Sequence, residues 1–268
     1  MDTSSLSPSL LESPHTIALP PTSDWRGFDP RAYLHEYYAD LGEENLAILR
    51  FYVDVFRQLP QQRIVLDVGS GPTIYSLISA ATKAGEIHIA EYLEANRVEI
   101  RKWLSGDNTA FNWRPFIAQS LWFEQTGPCS AFDIRRREAA IRNRVTYITR
   151  CDLRQVPSFL GGRQTYDVVM SNFCAESITD DFEEWRFFVA NLASLVNVGG
   201  TFVMTALKNA TCYAVGPMLF PAVSIAEIHV MQRLLELGFS RENIVIRSVP
   251  ADRPSRHYEG LMLVAAVK

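Results

Sequence analysis

The stretch Ile64-Val-Leu-Asp-Val-Gly-Ser-Gly-Pro72, running on into Thr-Ile-Tyr-Ser-Leu-Ile-Ser-Ala80, constrains this chain more than any other. An apolar strand enters a glycine turn, and the turn opens a helix. Glycine permits the tight turn and lets a ligand approach the backbone. Glu91 stands 20 residues beyond Gly71, at the end of the next apolar run, Glu86-Ile-His-Ile-Ala-Glu-Tyr92. A strand, a glycine turn, a helix and an acid at the next strand end make a pocket for a ribose-bearing cofactor at the carboxyl edge of a parallel sheet.

The rest of the chain extends this pattern. Asp29-Pro30 reads as a helix cap followed by proline at the first helical position, opening a helix to about Leu41. Leu46, Leu49, Val53 and Phe56 recur at helical spacing in a second helix, about Glu43 to Leu59, stopped by Pro60. Strands are expected at Ile64–Val68, Ile87–Ala90, Val145–Thr149, Tyr166–Ser171, Thr201–Thr205, Ile244–Val249 and Gly260–Val267. Helices are expected at about Thr73–Lys83, Leu93–Leu104, Ile134–Asn143, Phe182–Leu195 (ending at Gly199-Gly200) and 224–237. The stretch 106–130 reads as an irregular packed excursion, with Phe111, Trp113 and Trp122 as its packing. The expected fold is therefore α/β and Rossmann-like: a mostly parallel seven-stranded sheet with an antiparallel C-terminal strand and an N-terminal helical lid. Residues 1–23, rich in Ser, Pro and Thr, read as a flexible tail, and 24–268 as a single domain.

Composition excludes several classes. A net charge of −4 over 268 residues argues against nucleic acid as partner. The basic cluster Arg135-Arg-Arg137 with Arg142 and Arg144 is interleaved with Glu138 and apolar residues, and reads as a solvated helix face. Cys129, Cys151, Cys174 and Cys212 have spacings that suit neither a zinc site nor a disulfide framework, so no metal is expected. No run approaches membrane-spanning length. The N-terminus lacks the basic start and apolar core of a secretory signal, which places the chain in the cytoplasm. A monomer is the expected state.

Two cofactors compete for the glycine turn. A nicotinamide-binding fingerprint needs glycine at three positions; Gly69 and Gly71 fill two, but Ile74 holds the third. The form Asp67-Val-Gly-Ser-Gly, with an acid on the strand itself, suits S-adenosylmethionine, whose ammonium would meet Asp67 directly or through water. Gly69, Ser70, Gly71 and Thr73 form the turn around it. Glu91 accepts the ribose hydroxyls, and Asp152, in Cys151-Asp-Leu153, accepts the adenine amino group. Tyr92 and Leu153 sandwich the ring. Asn172-Phe-Cys174 lies beside the sulfonium and the substrate.

At this point the chain resembles the nicotinamide, phenylethanolamine and indolethylamine (thioether) N-methyltransferase family over roughly residues 27–268. The resemblance rests on Gly27-Phe-Asp-Pro-Arg-Ala-Tyr-Leu-His-Glu-Tyr-Tyr38, Asp67-Val-Gly-Ser-Gly-Pro-Thr-Ile-Tyr75, Glu91-Tyr-Leu-Glu-Ala-Asn96, Ala110-Phe-Asn-Trp113, Cys151-Asp-Leu153, Phe173-Cys-Ala-Glu176 and Ala206-Leu-Lys208. It implies S-adenosylmethionine contacts at Tyr33, Tyr38, Gly69, Ser70, Tyr75, Glu91, Asn96, Asp152, Leu153 and Asn172. It also implies that the first helix folds over the cofactor as a lid.

On the acceptor side the chain departs from the family. Thr205 stands where the nicotinamide enzymes place an aspartate. Lys208 stands where the catecholamine enzyme has an acid, and a lysine there would repel an ammonium. The basic pair Arg256-His257 replaces a second acid. Glu176 matches a family acid near the acceptor, and reads as a base or an ammonium-binding group. Tyr33 and Phe173 offer aromatic faces to a cationic donor. Trp25, Phe28, Tyr37, Phe173, Glu176, Thr205, Asn209 and His257 are the expected substrate residues. The expected activity is N-methylation of a small aromatic or heteroaromatic metabolite. Carbon methylation of an indole and sulfur methylation are alternatives, as is a catalytically inactive cofactor-binding protein that works through a partner.

Overall fold

The computed structural model describes residues 21–125, 127–155, 165–252 and 256–268. The expected tail lies outside these residues as far as residue 20. Thr22 is already tied down, its N–H donating to the Leu219 carbonyl at 2.8 Å.

The strands are β1 (Arg63–Val68), β2 (Ala84–Ala90), β3 (Val145–Thr149), β4 (Tyr166–Asn172), β5 (Val196–Lys208), β6 (Cys212–Val215), β7 (Met218–Pro221), β8 (Ile244–Pro250) and β9 (Gly260–Val267). Seven of them form one sheet in the order β3-β2-β1-β4-β5-β9-β8. Strands β1 to β5 pair in parallel, and β9 runs antiparallel to both β5 and β8. The chain reverses direction from β1 at the centre, so the tips of β1 and β4 flank a switch point where ligands bind in such sheets.

The helices are α1 (Pro30–Tyr38), α2 (Gly42–Gln58), α3 (Tyr75–Ala80), α4 (Glu94–Ser105), α5 (Arg114–Gln125), α6 (Ala131–Arg144), α7 (Phe182–Ser194) and α8 (Glu227–Glu236). Side chains alternate across a strand, so a sheet covered on both faces needs apolar residues at successive positions. Val65, Val203 and Leu263 point into one core with α1 to α6. Their neighbours Leu66, Phe202, Met204, Met262 and Val264 point into the other, with α7 and α8. Asp29 caps α1 as expected, its Oδ1 accepting the N–H groups of Arg31 at 2.8 Å and Ala32 at 3.2 Å.

Three expectations need correction, and one hairpin had no expectation. Residues 114–125 of the supposed excursion are helical: the Asn112 side chain accepts the Arg114 N–H at 3.2 Å, and Phe116, Ile117, Ser120 and Leu121 bury one face. Trp122 is 48% exposed and packs nothing comparable to Trp113, which is buried. Helix α7 stops at Ser194, so Gly199-Gly200 belong to β5, where the pairing with β4 shifts register. The stretch 212–221 forms a hairpin of β6 and β7 turned at Gly216, whose φ is +55°.

The basic cluster is also less solvated than its composition implies. Arg137 grips Glu124 through two bonds of 2.8 and 2.6 Å and donates to the Ile78 carbonyl. Arg142 lies over the Trp103 ring, and Arg144 donates to the Ala84 carbonyl. These arginines fasten α6 to the body; Arg135 and Arg136 remain exposed.

Candidate active site

The carboxyl tips of β1, β2 and β4, with the segment following β3, open into a cleft of about 1180 Å³, counting its mouth. At its floor, Gly69 and Gly71 adopt φ of +66° and +60°, a region costly for side chains other than glycine. Sterics add to this at Gly69, where a Cβ would collide with the Cys174 side chain. The turn is held from three sides. Gly69 N–H donates to Ala90 O at 2.7 Å, Gly71 N–H to Glu91 Oε2 at 2.9 Å, and Thr73 Oγ1 to Ser70 O at 2.8 Å.

Glu91 is buried and takes three donors. Beside Gly71 N–H, its Oε1 accepts from Leu93 N–H at 2.8 Å and Asn96 Nδ2 at 3.1 Å. A carboxylate has about four lone-pair sites, so it keeps room for a ligand hydroxyl. Burial raises its pKa. Arg97 donates to the carbonyls of Glu91 and Tyr92, locking the strand end. At the next strand end, Asp152 Oδ1 accepts the Arg154 N–H at 3.1 Å. The Tyr92 ring carries Arg150 at 4.6 Å and Arg154 at 5.9 Å. Burial pushes the Cys151 thiol up to about 12 and raises the Cys174 thiol well above its ordinary value, so both line the cleft as neutral, apolar groups.

Asp67, one step below the glycine turn, is fully buried. Its Oδ2 accepts from Ser76 Oγ at 2.6 Å, while Oδ1 has no partner. Desolvation raises its pKa to about 7. Asp67 lies beneath the lining, so a ligand ammonium above the turn would act on it from a distance or through water. The glycine cradle, the Glu91 carboxylate and this unpaired acid together suit a cationic nucleoside cofactor such as S-adenosylmethionine.

Asn172 ends β4 and is oriented from behind. Its Oδ1 accepts from Tyr52 Oη at 2.6 Å and Thr205 Oγ1 at 2.9 Å, both on buried side chains. With the carbonyl oxygen engaged, the Nδ2 donors are left for the cleft. Phe173 follows at φ +49°, an uncommon conformation for a side chain of its size, held by its N–H to Thr205 O at 2.8 Å.

Helix α1 covers the cleft. Arg31 pairs with Glu99 of α4 at 2.9 Å, and Tyr37 Oη donates to Ala214 O at 2.9 Å. Tyr38 stacks on Tyr75 with centroids 5.4 Å apart, and Tyr33 overhangs Gly71. Burial raises the pKa of Tyr33, Tyr38 and Tyr75 well above the phenol range and Tyr37 to about 12, so all four are neutral phenols at ordinary pH.

Of the fifteen residues assigned to the cofactor by sequence, fourteen line this one cleft: Tyr33, Tyr38, Gly69, Ser70, Gly71, Thr73, Tyr75, Glu91, Tyr92, Asn96, Asp152, Leu153, Asn172 and Cys174; Asp67 lies beneath it. Of the substrate residues, Trp25, Phe28, Tyr37 and Phe173 line it and four do not. Glu176 is fully buried behind the wall; its Oε1 accepts from Leu207 N–H at 3.0 Å and Ser177 Oγ at 3.3 Å, and burial lifts its pKa to about 7. Thr205 is spent on Asn172. Asn209 Nδ2 donates to Glu259 at 2.7 Å, and His257 is exposed away from the cleft. Lys208 repels nothing there: it lies outside the lining, with Nζ on Glu227 Oε1 at 2.6 Å.

Sequence reasoning missed Glu44, Ile48, Leu207, Tyr213, Tyr258 and Leu261, which also line the cleft. Glu44 matters most among them. Its Oε2 accepts from Tyr258 Oη at 3.0 Å, its Oε1 accepts the Asp252 N–H at 3.3 Å, and burial raises its pKa. The sequence gives no signal for it: Glu44 stands between Glu43 and Asn45 in the polar first turn of α2, where acids are ordinary. Among the described residues, no group of acids, histidines and cysteines suits a metal ion, and no helix is long and apolar enough to cross a membrane.

The NNMT/PNMT/TEMT family model matches residues 18–268. The chain is similar to phenylethanolamine N-methyltransferase of Homo sapiens, at 28% identity over 85% of this chain and 84% of that one. It is similar to nicotinamide N-methyltransferase of Homo sapiens at 27% identity, over 90% of this chain and 93% of that one. In fold it is similar to the glycopeptide N-methyltransferase MtfA complexed with S-adenosyl-L-homocysteine, with a TM-score of 0.51 at 14% identity, covering 88% of this chain and 96% of that one.

Proposed function

This chain belongs to the NNMT/PNMT/TEMT family of methyltransferases, and we propose that it transfers a methyl group from S-adenosylmethionine to a nitrogen of a small aromatic or heteroaromatic acceptor. The observation that carries this reading is that one cleft combines a cofactor cradle with an aromatic wall. It is lined by the Gly69–Gly71 turn, Glu91, Asn96 and Asp152, and also by Trp25, Phe28, Tyr37, Phe173, Tyr213 and Tyr258.

When bound, S-adenosylmethionine supplies a methyl group already activated by a positively charged sulfur. The protein's own task is to place and to exclude water. Glu91 and Asn96 fix the ribose, and Asp152 with the Tyr92 and Leu153 side chains fixes the base. Tyr33 and Phe173 present ring faces to the cationic centre. The Asn172 amide, its oxygen held by Tyr52 and Thr205, fixes one polar contact in the cleft. Holding reactants at near-attack distance in this way is worth up to about 7–11 kcal/mol of barrier.

A protonated amine cannot attack, so an N–H acceptor needs a proton acceptor at the aromatic wall. Glu44 takes that role: it lines the cleft, where Glu176 does not, and desolvation raises its affinity for a proton. The four cysteines are all free thiols, which supports a reducing, cytoplasmic setting.

The test is calorimetry with S-adenosylhomocysteine, followed by an acceptor screen read by mass. Stoichiometric binding and a methyl gain on nitrogen are expected. Preference for NADH, or a methyl gain on carbon or sulfur alone, would overturn the reading.

A further inference from the structure

Glu44 and Tyr258 both line the cleft, although they stand 214 residues apart in the chain. The Tyr258 hydroxyl donates to Glu44 Oε2 at 3.0 Å, and both side chains are buried. Glu44 belongs to the first turn of α2, and Tyr258 stands just before β9. A hydrogen bond to a carboxylate in a desolvated site is stronger than one between neutral groups, and it fixes the orientation of the acceptor.

The backbone holds Tyr258 rigidly. On one side, Glu259 N–H donates to Lys208 O at 2.9 Å and Glu259 O accepts the Ala251 N–H at 3.0 Å. On the other, His257 O accepts the Thr211 N–H at 3.2 Å. Glu44 has one further bond, from the Asp252 N–H to Oε1, and at 3.3 Å it is the longer of the two. The titratable and charged groups that act on Glu44 are Arg256, Tyr258 and Asp252 between β8 and β9, and Tyr37 on α1. Burial disfavours its charged form, and the charge of Asp252 adds to this; the Arg256 guanidinium, the Tyr258 hydroxyl and the Asp252 N–H favour that form. Burial also keeps the Tyr258 phenol from ionising at ordinary pH, so it remains a donor. A carboxylate that served the core alone would be shut in, as Glu176 is. Glu44 instead borders the cleft, and its two bonds leave lone pairs for an acceptor.

We propose that Tyr258 is a positioning residue for methyl transfer, its hydroxyl holding the Glu44 carboxylate where it takes the proton of the acceptor nitrogen. The N–H bond breaks, its electron pair stays on nitrogen as the attacking lone pair, and an O–H bond forms on Glu44. Tyr258 keeps its own proton throughout. This rests on the proton-acceptor role given to Glu44 above, and adds the residue that sets its orientation.

The experiment uses the full chain and Tyr258→Phe, which removes the hydroxyl and keeps the ring. Carbon-13 labelling of the glutamate carboxyls, with the Glu44 signal identified by its loss in Glu44→Gln, gives the Glu44 titration midpoint without any turnover. That midpoint rises in Tyr258→Phe by about one to two pH units, the range for a lost hydrogen bond to a charged group. With an acceptor from the screen, the acid limb of kcat/KM moves up in the same direction, and kcat falls roughly tenfold through lost orientation. Affinity for S-adenosylhomocysteine is unchanged. In the Glu44→Gln background, Tyr258→Phe lowers kcat no further, because the two residues act as one unit. An unmoved Glu44 midpoint, an unmoved acid limb, or a full additional loss in the Glu44→Gln background would each overturn the proposal, since a tyrosine that only packs gives those results. Full turnover by Glu44→Gln would overturn it together with the role of Glu44. Failure of the wild-type chain to bind S-adenosylhomocysteine would instead overturn the methyltransferase reading beneath both.

Discussion

The carboxylate of Glu91, at the tip of β2, accepts the backbone N–H of Gly71, at the tip of β1, over 2.9 Å. One acid therefore shapes the glycine turn and stands ready for a ribose. Glu91→Gln replaces one of its acceptor oxygens with a donor facing either Gly71 or Leu93 N–H. The expected result is S-adenosylhomocysteine binding weaker by roughly tenfold or more, with a loss of about 1–3 kcal/mol of stability. Calorimetry and urea denaturation on the same preparation check both. Unchanged affinity would remove Glu91 from the cofactor site.

Tyr52 and Thr205 converge on Asn172 Oδ1 at 2.6 and 2.9 Å. Tyr52→Phe and Thr205→Val each remove one of these bonds, at a cost of about 0.5–1.5 kcal/mol. Because they share one acceptor, their effects are not additive. The double variant loses more transfer activity than the product of the single losses, since Asn172 is then free to rotate. Simple additivity in kcat/KM would show that the two hydroxyls serve the core and not the amide.

Glu44 and Glu176 separate the two candidates for proton acceptor. Glu44→Gln lowers turnover by roughly a hundredfold to ten-thousandfold, the range for lost general base catalysis, and leaves donor affinity unchanged. Glu176→Gln leaves turnover nearly intact, because its carboxylate lies outside the cleft lining, with Oε1 on Leu207 N–H and Ser177 Oγ and Oε2 buried without a partner. Steady-state kinetics on a turned-over acceptor decide it; the opposite ranking would return the role to Glu176.

Burial holds the Asp67 and Glu176 carboxyls up to about 7, against ordinary values of 3.8 and 4.5. An acid raised on folding binds more protons in the folded chain than in the unfolded one. These two groups therefore stabilise the fold most below about pH 4, and their contribution declines as pH rises toward about 7 and levels off above it. Glu227, held near 2 by Lys208 and Ser248, acts in the opposite sense but only below its ordinary value of 4.5. The denaturation midpoint of the ligand-free protein should fall between pH 5 and 7, and Asp67→Asn and Glu176→Gln should each flatten that slope. A midpoint rising through this window, unaltered in both variants, would contradict the assignment.

How much of this was legible in the sequence depends on whether the signal was local. The glycine turn, the Asp29-Pro30 cap and the strand-end acids are local patterns, and each reappears where the pattern put it. The start of α5 was legible too: Asn112 followed by Pro115 is a helix-start signal, masked by the aromatic residues around it. Glu44, Tyr258 and Arg256 were not, because their association spans more than two hundred residues and depends on how α2 packs against β9. Glu176 shows the reverse. Its sequence neighbourhood matches a family acid, yet the β5 backbone at Leu207 takes one of its oxygens and the wall closes over it. Lys208 likewise reads as a cation in the site until Glu227, brought near by α8, takes its charge.

The central claim is that the cofactor lies on the Gly69–Gly71 turn beneath α1. A crystal structure of the full chain with S-adenosylhomocysteine tests it most directly. The account predicts ribose hydroxyls on Glu91, adenine between Tyr92 and Leu153 with its amino group on Asp152, and Tyr33 over the sulfur. Ligand density away from this turn, or at the aromatic wall near Glu44, would contradict it.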